Sequence, residues 1–365
     1  MLVGINYPWI NFGWDFGEPP PSWVSAGRLP AWRTQKRGRI VSDLSYFKCL
    51  GFFAVRWFLM GDGTNYGMGR QAPRLNPRNN HWTFSPLPAG DPFYAQQQDD
   101  FAFVLRTLAA LDMKIVPVLI SGKWCNPGLR AERAPEAIKG GRAAIFHDWV
   151  KRRTFFDNAL NPLLAISRRY PNTIYAWDLF NEPESVAPQY FSLDLMLDFI
   201  RDGAQRINNA GFRSTVGFAR SRTMIDWQRQ NLGITCSQFH YYPEGDPLPR
   251  RPQLSRQPLF VGEFASAVHR PWPELQQRNA SQTISNRLRL IAAKGYPAAF
   301  IWSATPGANS NPDLPATRWT PAAEDEVLNY TRSIPFPARS PSMNRNRRCP
   351  RLTTGSGNRE LHNDY

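Results

Sequence analysis

Short apolar runs alternate along this chain with stretches whose apolar residues recur every three or four positions. Apolar residues at helical spacing precede Gly51, for example, and an apolar run over residues 52–58 follows it. The same order recurs in three further stretches, 101–120, 193–218 and 284–303. Helical spacing that ends at a glycine and leads into a short apolar run is typical of alternating helices and strands.

Eight apolar runs are too short to be globular helices and predict strands. They cover residues 2–7, 52–58, 114–120, 174–180, 215–218, 234–240, 258–263 and 298–303. Eight strands that alternate with helices predict an α/β protein with a (β/α)8 TIM barrel fold. A doubly wound sheet also alternates the two elements, but it usually carries a glycine fingerprint after its first strand. Here the first strand leads into Pro8 and Trp9, which argues against a dinucleotide-binding turn.

Long irregular stretches follow the first two predicted strands. One is rich in Pro, Gly and Trp and reaches about Gly38, and the other covers about 61–98. Loops after barrel strands build the active-site face, so we expect long β1 and β2 loops that wall a cleft. We assign residues 1–334 to a single barrel domain. Residues 335–365 are basic and poor in periodic apolar residues, and they predict a disordered tail.

The net charge of the chain is strongly positive, at +15 over 365 residues. Such a charge can indicate a polyanionic partner. Seven arginines and two acids place +5 within residues 331–365, and the remaining charge is spread without a basic stripe, a helix-turn-helix pattern or a phosphate-binding glycine loop. We therefore expect no nucleic-acid partner. No run approaches 18 apolar residues, so we expect no membrane partner either.

The four cysteines predict neither a disulfide framework nor a metal site. Cys49, Cys125, Cys236 and Cys349 are scattered, with no C-x-x-C pair and no histidine at metal-ligand spacing. We expect free thiols and no bound metal. The N-terminus also lacks the basic and long apolar regions of a secretory leader.

Two carboxylates stand at the ends of predicted strands. The run 174–180 leads directly into Asn181, Glu182 and Pro183, and the run 258–263 ends on Glu263 beside a glycine. For Glu182 alone, a helix N-cap turn is an alternative, because Asn caps helices well and Pro suits their first position. Two buried glutamates in one barrel are costly without a partner. A retaining glycosidase needs such a pair, about 5 to 5.5 Å apart, as nucleophile and acid/base.

With these motifs the chain resembles the clan A glycoside hydrolases, especially the cellulase-type family 5, over roughly residues 1–330. In that clan the acid/base follows the fourth strand in an Asn-Glu-Pro motif and the nucleophile ends the seventh. The resemblance implies that Glu182 is the acid/base and Glu263 the nucleophile of a retaining enzyme. It implies an oligo- or polysaccharide substrate of β-glucan or β-mannan type, a monomer, and no cofactor. The mechanism also requires the pKa of Glu182 to be raised by burial and by its negative neighbour.

Further residues match the clan pattern at other strand ends. Arg56 resembles the arginine that keeps the nucleophile ionised, and Asn181 the residue that holds the sugar 2-hydroxyl. His240 and Tyr242 resemble the clan's His-x-Tyr, and Trp302 resembles the tryptophan below the sugar ring. Three of these residues have a structural alternative: a barrel salt bridge for Arg56, a core histidine for His240, and a packed core tryptophan for Trp302.

One departure from the clan concerns the end of the third strand, where many family 5 members carry a histidine. This chain has Lys123 and Trp124 there, so one of them fills that space or the subsite differs. Trp9, Trp14, Trp124 and the aromatic residues of 61–98 are either sugar platforms or loop packing. Clan members are often secreted, whereas the missing leader favours a cytoplasmic protein by default. A carbohydrate-binding barrel without catalysis, or a basic polyanion-binding protein, remains an alternative.

Overall fold

The computed structural model describes residues 1–11, 13–67, 70–78, 81–131, 134–243, 247–255, 257–266, 271–304 and 320–334. Eight parallel strands form a closed barrel in chain order, which confirms the predicted fold. The strands are β1 (Leu2–Asn6), β2 (Ala54–Phe58), β3 (Lys114–Ser121), β4 (Trp177–Asn181), β5 (Ser214–Phe218), β6 (Ser237–His240), β7 (Leu259–Ala265) and β8 (Ala298–Trp302). All eight predicted strands are present, with ends shifted by up to three residues.

Helices surround the barrel. They are α1 (Leu29–Cys49), α2 (Pro92–Ala110), α3 (Ala144–His147), α4 (Trp149–Phe155), α5 (Asn161–Ser167), α6 (Leu193–Asn209), α7 (Ser221–Gln228), α8 (Pro273–Gln277), α9 (Ile284–Ala293) and α10 (Pro321–Ser333). A π-helical turn, Phe156–Leu160, joins α4 to α5. Single 3-10 turns lie at Ala26–Arg28, Gly122–Trp124, Pro183–Ser185 and Arg251–Gln253.

The strands are apolar on both faces because the barrel has two cores. Along β3, Ile115 and Leu119 join the large cluster between strands and helices, whereas Val116 and Val118 join smaller clusters of strand residues. This alternation is the packing expected when side chains fill a barrel interior. The continuous apolar runs of the sequence therefore follow from burial on both sides.

The loops contain more helix and strand than the sequence predicts. Helix α1 begins at Leu29, well before the expected end of the first irregular stretch. Within 61–98, a hairpin pairs Arg74–Asn76 with His81–Thr83, and α2 begins at Pro92 behind an Asp91 cap. A second hairpin after β3, which we did not predict, pairs Leu129–Ala131 with Ala134–Lys139. Both irregular stretches were thus predicted too long.

Two further predictions concern the cysteines and the C-terminal tail. Cys49 is disulfide-bonded, so the prediction of a free thiol is wrong for it, whereas Cys125 and Cys236 are free and buried. The predicted tail, 335–365, lies outside the described residues. Among the helices of the described part, none is long and apolar enough to cross a membrane.

Candidate active site

The barrel register brings the predicted site residues to one rim. Arg56 pairs with Asn6 across β1 and β2, and His240 pairs with Glu263 across β6 and β7. Asn181, the last residue of β4, pairs with Gly217 of β5. All of these positions lie at or near the carboxyl ends of their strands. This rim is the end of a barrel at which catalysis takes place.

Arg56 is the centre of a buried network below this rim. Its Nη1 donates to Glu263 Oε1 at 2.5 Å and to Asn6 Oδ1 at 3.0 Å. Its Nε and Nη2 donate to Asp178 Oδ2 at 3.1 and 2.8 Å, and Nη2 also donates to Asn181 Oδ1 at 2.6 Å. The side chain of Arg56 is 0% exposed. A guanidinium so enclosed favours the ionised forms of two carboxylates, against the effect of their burial, and fixes their orientation.

Glu182 lies on a tight turn that directs its side chain across the rim. Its backbone is left-handed, with φ of 55° and ψ of 57°, and its N–H donates to the Gly217 carbonyl at 2.6 Å. The Glu182 side chain does not cap the following 3-10 turn. Asn181, the capping residue of the alternative interpretation, instead accepts from Arg56. A 3-10 turn does begin at Pro183, as the N-cap interpretation expects, but Asn181 does not cap it.

His240 lies between the two glutamates. Its Nδ1 is 2.9 Å from Glu182 Oε1, and its Nε2 is 3.4 Å from Glu263 Oε1. One side-chain atom from each of the three residues lies within 4.8 Å of the other two. The hydroxyl of Tyr242 donates to Glu263 Oε2 at 2.9 Å. Both oxygens of Glu263 are thus held, and an imidazole links its carboxylate to that of Glu182.

Burial and charge shift the pKa values of these three groups in different directions. Burial raises the pKa of Glu182, but the hydrogen bond and charge of His240, with Arg56 and Lys123, outweigh it and leave the pKa lowered. The pKa of Glu263 is raised because burial outweighs the charges of His240 and Arg56. Burial lowers the pKa of His240, yet the Glu263 charge and the Glu182 hydrogen bond outweigh it and raise that pKa. The three groups therefore titrate as one coupled set, in which the protonation of each depends on that of the others.

The expectation of a raised Glu182 pKa is therefore wrong for the substrate-free site. The sequence motif places the negative neighbour correctly, but it does not show that His240 stands between the two carboxylates. A protonated imidazole in that place stabilises an ionised Glu182. In this arrangement the proton of the pair lies on the His240 side.

Aromatic rings line the rim next to this cluster. Trp302, the last residue of β8, is 9% exposed and packs edge-on against Phe58 at 6.2 Å between ring centroids. Trp9 also packs against Phe58, at 6.1 Å between ring centroids. The guanidinium carbon of Arg56 lies 5.2 Å from the Phe58 ring centre. An indole surface thus adjoins the charged network.

Trp124 lies elsewhere. It is 0% exposed and packs against Tyr66 and Phe155 at 5.4 Å in each case, in the core under the β2 and β3 loops. Its neighbour Lys123 is exposed, and its charge acts on Glu182. Of the two residues after β3, Lys123 is therefore the one near the carboxylates, and Trp124 belongs to the core. Trp14, Tyr66, Phe84, Phe93 and Tyr94 are also buried, so they are loop packing.

Four polar residues of the network were not singled out in the sequence: Asn6, Asp178, Glu184 and Gln238. Asn6 donates to the Gly262 carbonyl at 3.0 Å, and Gln238 Nε2 donates to Asp178 Oδ2. A Cβ on residue 262 would lie 2.4 Å from Gln238 Oε1, so glycine there makes room for the network. Three of the four could have been found as polar residues inside apolar strands, since such groups need buried partners.

The distances within the Glu182, His240 and Glu263 cluster would also suit a metal ion. However, Glu263 Oε1 already accepts from the buried guanidinium of Arg56 at 2.5 Å. A divalent cation at that oxygen would be placed against a positive charge in a medium of low dielectric constant. The cluster therefore fits proton transfer and nucleophilic attack better than metal binding.

Comparison with known proteins gives structural relatives only. No protein-family model matches the sequence, and no curated protein matches it. The fold is similar to an endo-1,4-β-mannanase from Eisenia fetida, with a TM-score of 0.62, 18% identity and 91% of each chain covered. It is also similar to a β-1,4-D-mannanase from Cryptopygus antarcticus (TM-score 0.60, 19% identity, 90% of this chain and 88% of that one). A third similar structure is a β-1,4-mannanase from the sea hare Aplysia kurodai (TM-score 0.59, 18% identity, 90% of this chain and 91% of that one). At these identities the similarity establishes a shared TIM barrel fold.

Proposed function

We propose that the chain is a retaining glycoside hydrolase that cleaves β-linked polysaccharides, with Glu263 as nucleophile and Glu182 as acid/base. The observation that carries this proposal is the pair of carboxylates at the rim, whose nearest oxygens are within 4.8 Å. Retaining enzymes keep their carboxyl groups about 5 to 5.5 Å apart, whereas inverting enzymes need about 6.5 to 9.5 Å to admit a water. The separation supports direct attack by a carboxylate.

In the first step, Glu263 Oε2 or Oε1 forms a bond to the anomeric carbon while the bond to the leaving oxygen breaks. Arg56 and Tyr242 hold Glu263 in place and favour its ionised form for this attack. His240 Nδ1, at 2.9 Å, supplies the proton to Glu182, which gives it to the leaving oxygen and is left as a carboxylate. Bound sugar excludes water from Glu182, which favours its protonated form at that moment.

In the second step, water attacks the anomeric carbon of the glycosyl-enzyme and releases Glu263. Glu182, now a carboxylate, takes the proton from that water. Esterified Glu263 carries no charge, so the second step has one negative group fewer beside Glu182. The configuration at the anomeric carbon is retained because two displacements occur.

Two residues are placed to hold the sugar. Asn181 accepts from Arg56 through Oδ1, which leaves its Nδ2 protons as donors for a sugar hydroxyl. Trp302 and Trp9 pack with Phe58, whose ring lies against Arg56, and an indole suits the C–H face of a pyranose. β-1,4-Mannan is the first substrate to test, since the three structural relatives are named as mannanases. Trp124 has no part in this proposal.

Turnover of aryl β-mannosides, aryl β-glucosides, β-mannan and β-glucan by the purified protein tests the proposal. We expect Glu263→Gln to lower kcat by about 10³-fold or more, because it removes the attacking charge. Glu182→Ala should lose activity on polysaccharide but keep part of it on a dinitrophenyl glycoside, and azide should rescue it as a β-glycosyl azide. Asp226→Asn, which changes an exposed carboxylate on α7, is the matched control.

Near-native activity of Glu263→Gln on every substrate would contradict the assignment. Saturable sugar binding without any turnover by the wild-type chain would instead support the non-catalytic carbohydrate-binding alternative. A steep fall in the affinity for a polyanion with salt would be the signature of the remaining alternative.

A further inference from the structure

A third carboxylate lies in the same turn as Glu182. Glu184 belongs to the 3-10 turn Pro183–Ser185, and its Oε1 accepts from the Ala219 backbone N–H at 2.7 Å. Its Oε2 is shielded from solvent and has no hydrogen-bond partner among the described residues. A shielded carboxylate oxygen without a donor is costly for the ionised form. Glu184 therefore needs an explanation beyond a surface role.

The turn is joined to β5 by two hydrogen bonds that run in opposite directions. The Glu182 N–H donates to the carbonyl of Gly217, and the carboxylate of Glu184 accepts from Ala219, two residues further along. Ser185 Oγ closes the turn by donating to the Glu182 carbonyl at 2.6 Å. The left-handed backbone of Glu182 is thus held from both sides.

The charges around this turn come from several elements. Glu184 faces Glu182 on its own turn and His240 from β6. Glu182 in turn faces His240, Arg56 from β2, and Lys123 from the turn after β3, while Glu263 of β7 acts on both Glu182 and His240. Arg220 follows Ala219 in the chain. Of these groups, Glu184 and Glu263 are the negative neighbours that favour a proton on the Glu182–His240 pair.

We propose that Glu184 is a positioning residue for the acid/base: it fixes the turn that carries Glu182, and its ionised carboxylate keeps the proton on the Glu182–His240 pair at higher pH. This role rests on the proposed function. The pKa of Glu184 supports it, because burial and then the charge of Glu182 raise that pKa to about 7. Glu184 thus becomes charged as the pH rises through about 7, and its charge then opposes the loss of the proton from the pair.

The pH dependence of kcat/KM on an aryl glycoside separates charge from shape. In Glu184→Gln the side-chain oxygen can still accept from Ala219, but the charge is gone. For Glu184→Gln we expect the basic limb of the kcat/KM–pH profile to move to lower pH by about half a unit or more, with KM changed less than twofold. In Glu184→Asp the charge stays and the hydrogen bond lengthens, so kcat falls while the basic limb stays in place. Glu136→Gln, which removes another carboxylate that accepts a backbone N–H, should leave the limb unmoved.

A basic limb of Glu184→Gln that coincides with the wild-type limb would overturn the proposal, and so would equal shifts in the Gln and Asp variants. Thermal unfolding of each variant shows that the barrel is intact before its kinetics are compared. Absence of turnover by the wild-type chain on every glycoside would contradict the proposed function itself. Turnover with an unmoved limb would contradict only the role of Glu184.

Discussion

Gly217 and Arg56 fit together only because residue 217 has no side chain. A Cβ at this position would lie 2.9 Å from Arg56 Nη2, and 3.1 Å from Asp178 Oδ2. Arg56 Nη2 is the atom that donates to both Asp178 and Asn181. The glycine on β5 therefore allows the guanidinium to reach both the carboxylate of Asp178 and the amide of Asn181 on β4.

Gly217→Ala should lower kcat/KM by about tenfold or more and destabilise the fold by roughly 1 to 3 kcal/mol, because the new methyl group pushes on the buried guanidinium. Gly38→Ala is the matched control. Gly38 is an exposed residue of α1 with nothing within 4 Å of its ideal Cβ, so alanine there should leave activity unchanged and add up to about 1 kcal/mol of stability. Equal activity of the two variants would show that Arg56 tolerates displacement.

Arg56→Met should destabilise the barrel by about 3 to 5 kcal/mol, since it leaves Asp178 and Glu263 buried without their cation. The double variant Arg56→Met with Asp178→Asn should recover part of this loss, because it removes one of the two buried carboxylates that have lost their cation. Urea unfolding of the four proteins in the cycle gives the coupling free energy. Strict additivity of the two single effects would mean that Arg56 and Asp178 do not interact energetically.

Lys123→Met should move the basic limb of kcat/KM to higher pH. The charge of Lys123 lowers the pKa of Glu182, so its loss favours the protonated acid. The shift should be small, roughly 0.3 to 0.5 pH unit, and should shrink as salt is added, because Lys123 is exposed. Lys48→Met is the control: Lys48 lies at the end of α1 that leads to the opposite face of the barrel, where it contacts Asp112. A limb shift as large in the control would mean that total charge is responsible.

The strands could be predicted because a barrel strand is buried on both faces and leaves a continuous apolar run. Residues at the strand ends follow from the same pattern, which is why Glu182, Glu263 and Arg56 were found before their contacts were known. The loops could not be predicted equally well. In the hairpin that pairs Arg74–Asn76 with His81–Thr83, the side chains of Arg74, Leu75 and Thr83 are exposed, and such short strands carry no full period of alternation.

The site was also predicted incompletely, for a related reason. Trp124 follows a strand as the other site residues do, yet its indole turns into the aromatic core instead of the cleft. Glu184 is one turn residue among several acids in the sequence, and nothing local shows that it reaches the Ala219 N–H on the next strand. Direction of a side chain and contacts between distant segments depend on packing, which periodicity does not describe.

The stability of the protein should fall between about pH 4.5 and 7 through Glu184. Its pKa is raised to about 7 in the folded chain, whereas an unfolded glutamate has its ordinary value of 4.5. Between these values the folded state binds more protons than the unfolded state, so the contribution of Glu184 is present below pH 4.5 and is lost as the pH rises through 7. Glu184→Gln removes the titration. After allowance for partial exposure, the variant should gain on the order of 1 kcal/mol relative to wild type between pH 4.5 and pH 8. Urea midpoints at these two pH values measure the change, and a difference between the two proteins that does not vary with pH would show that Glu184 titrates alike in both states.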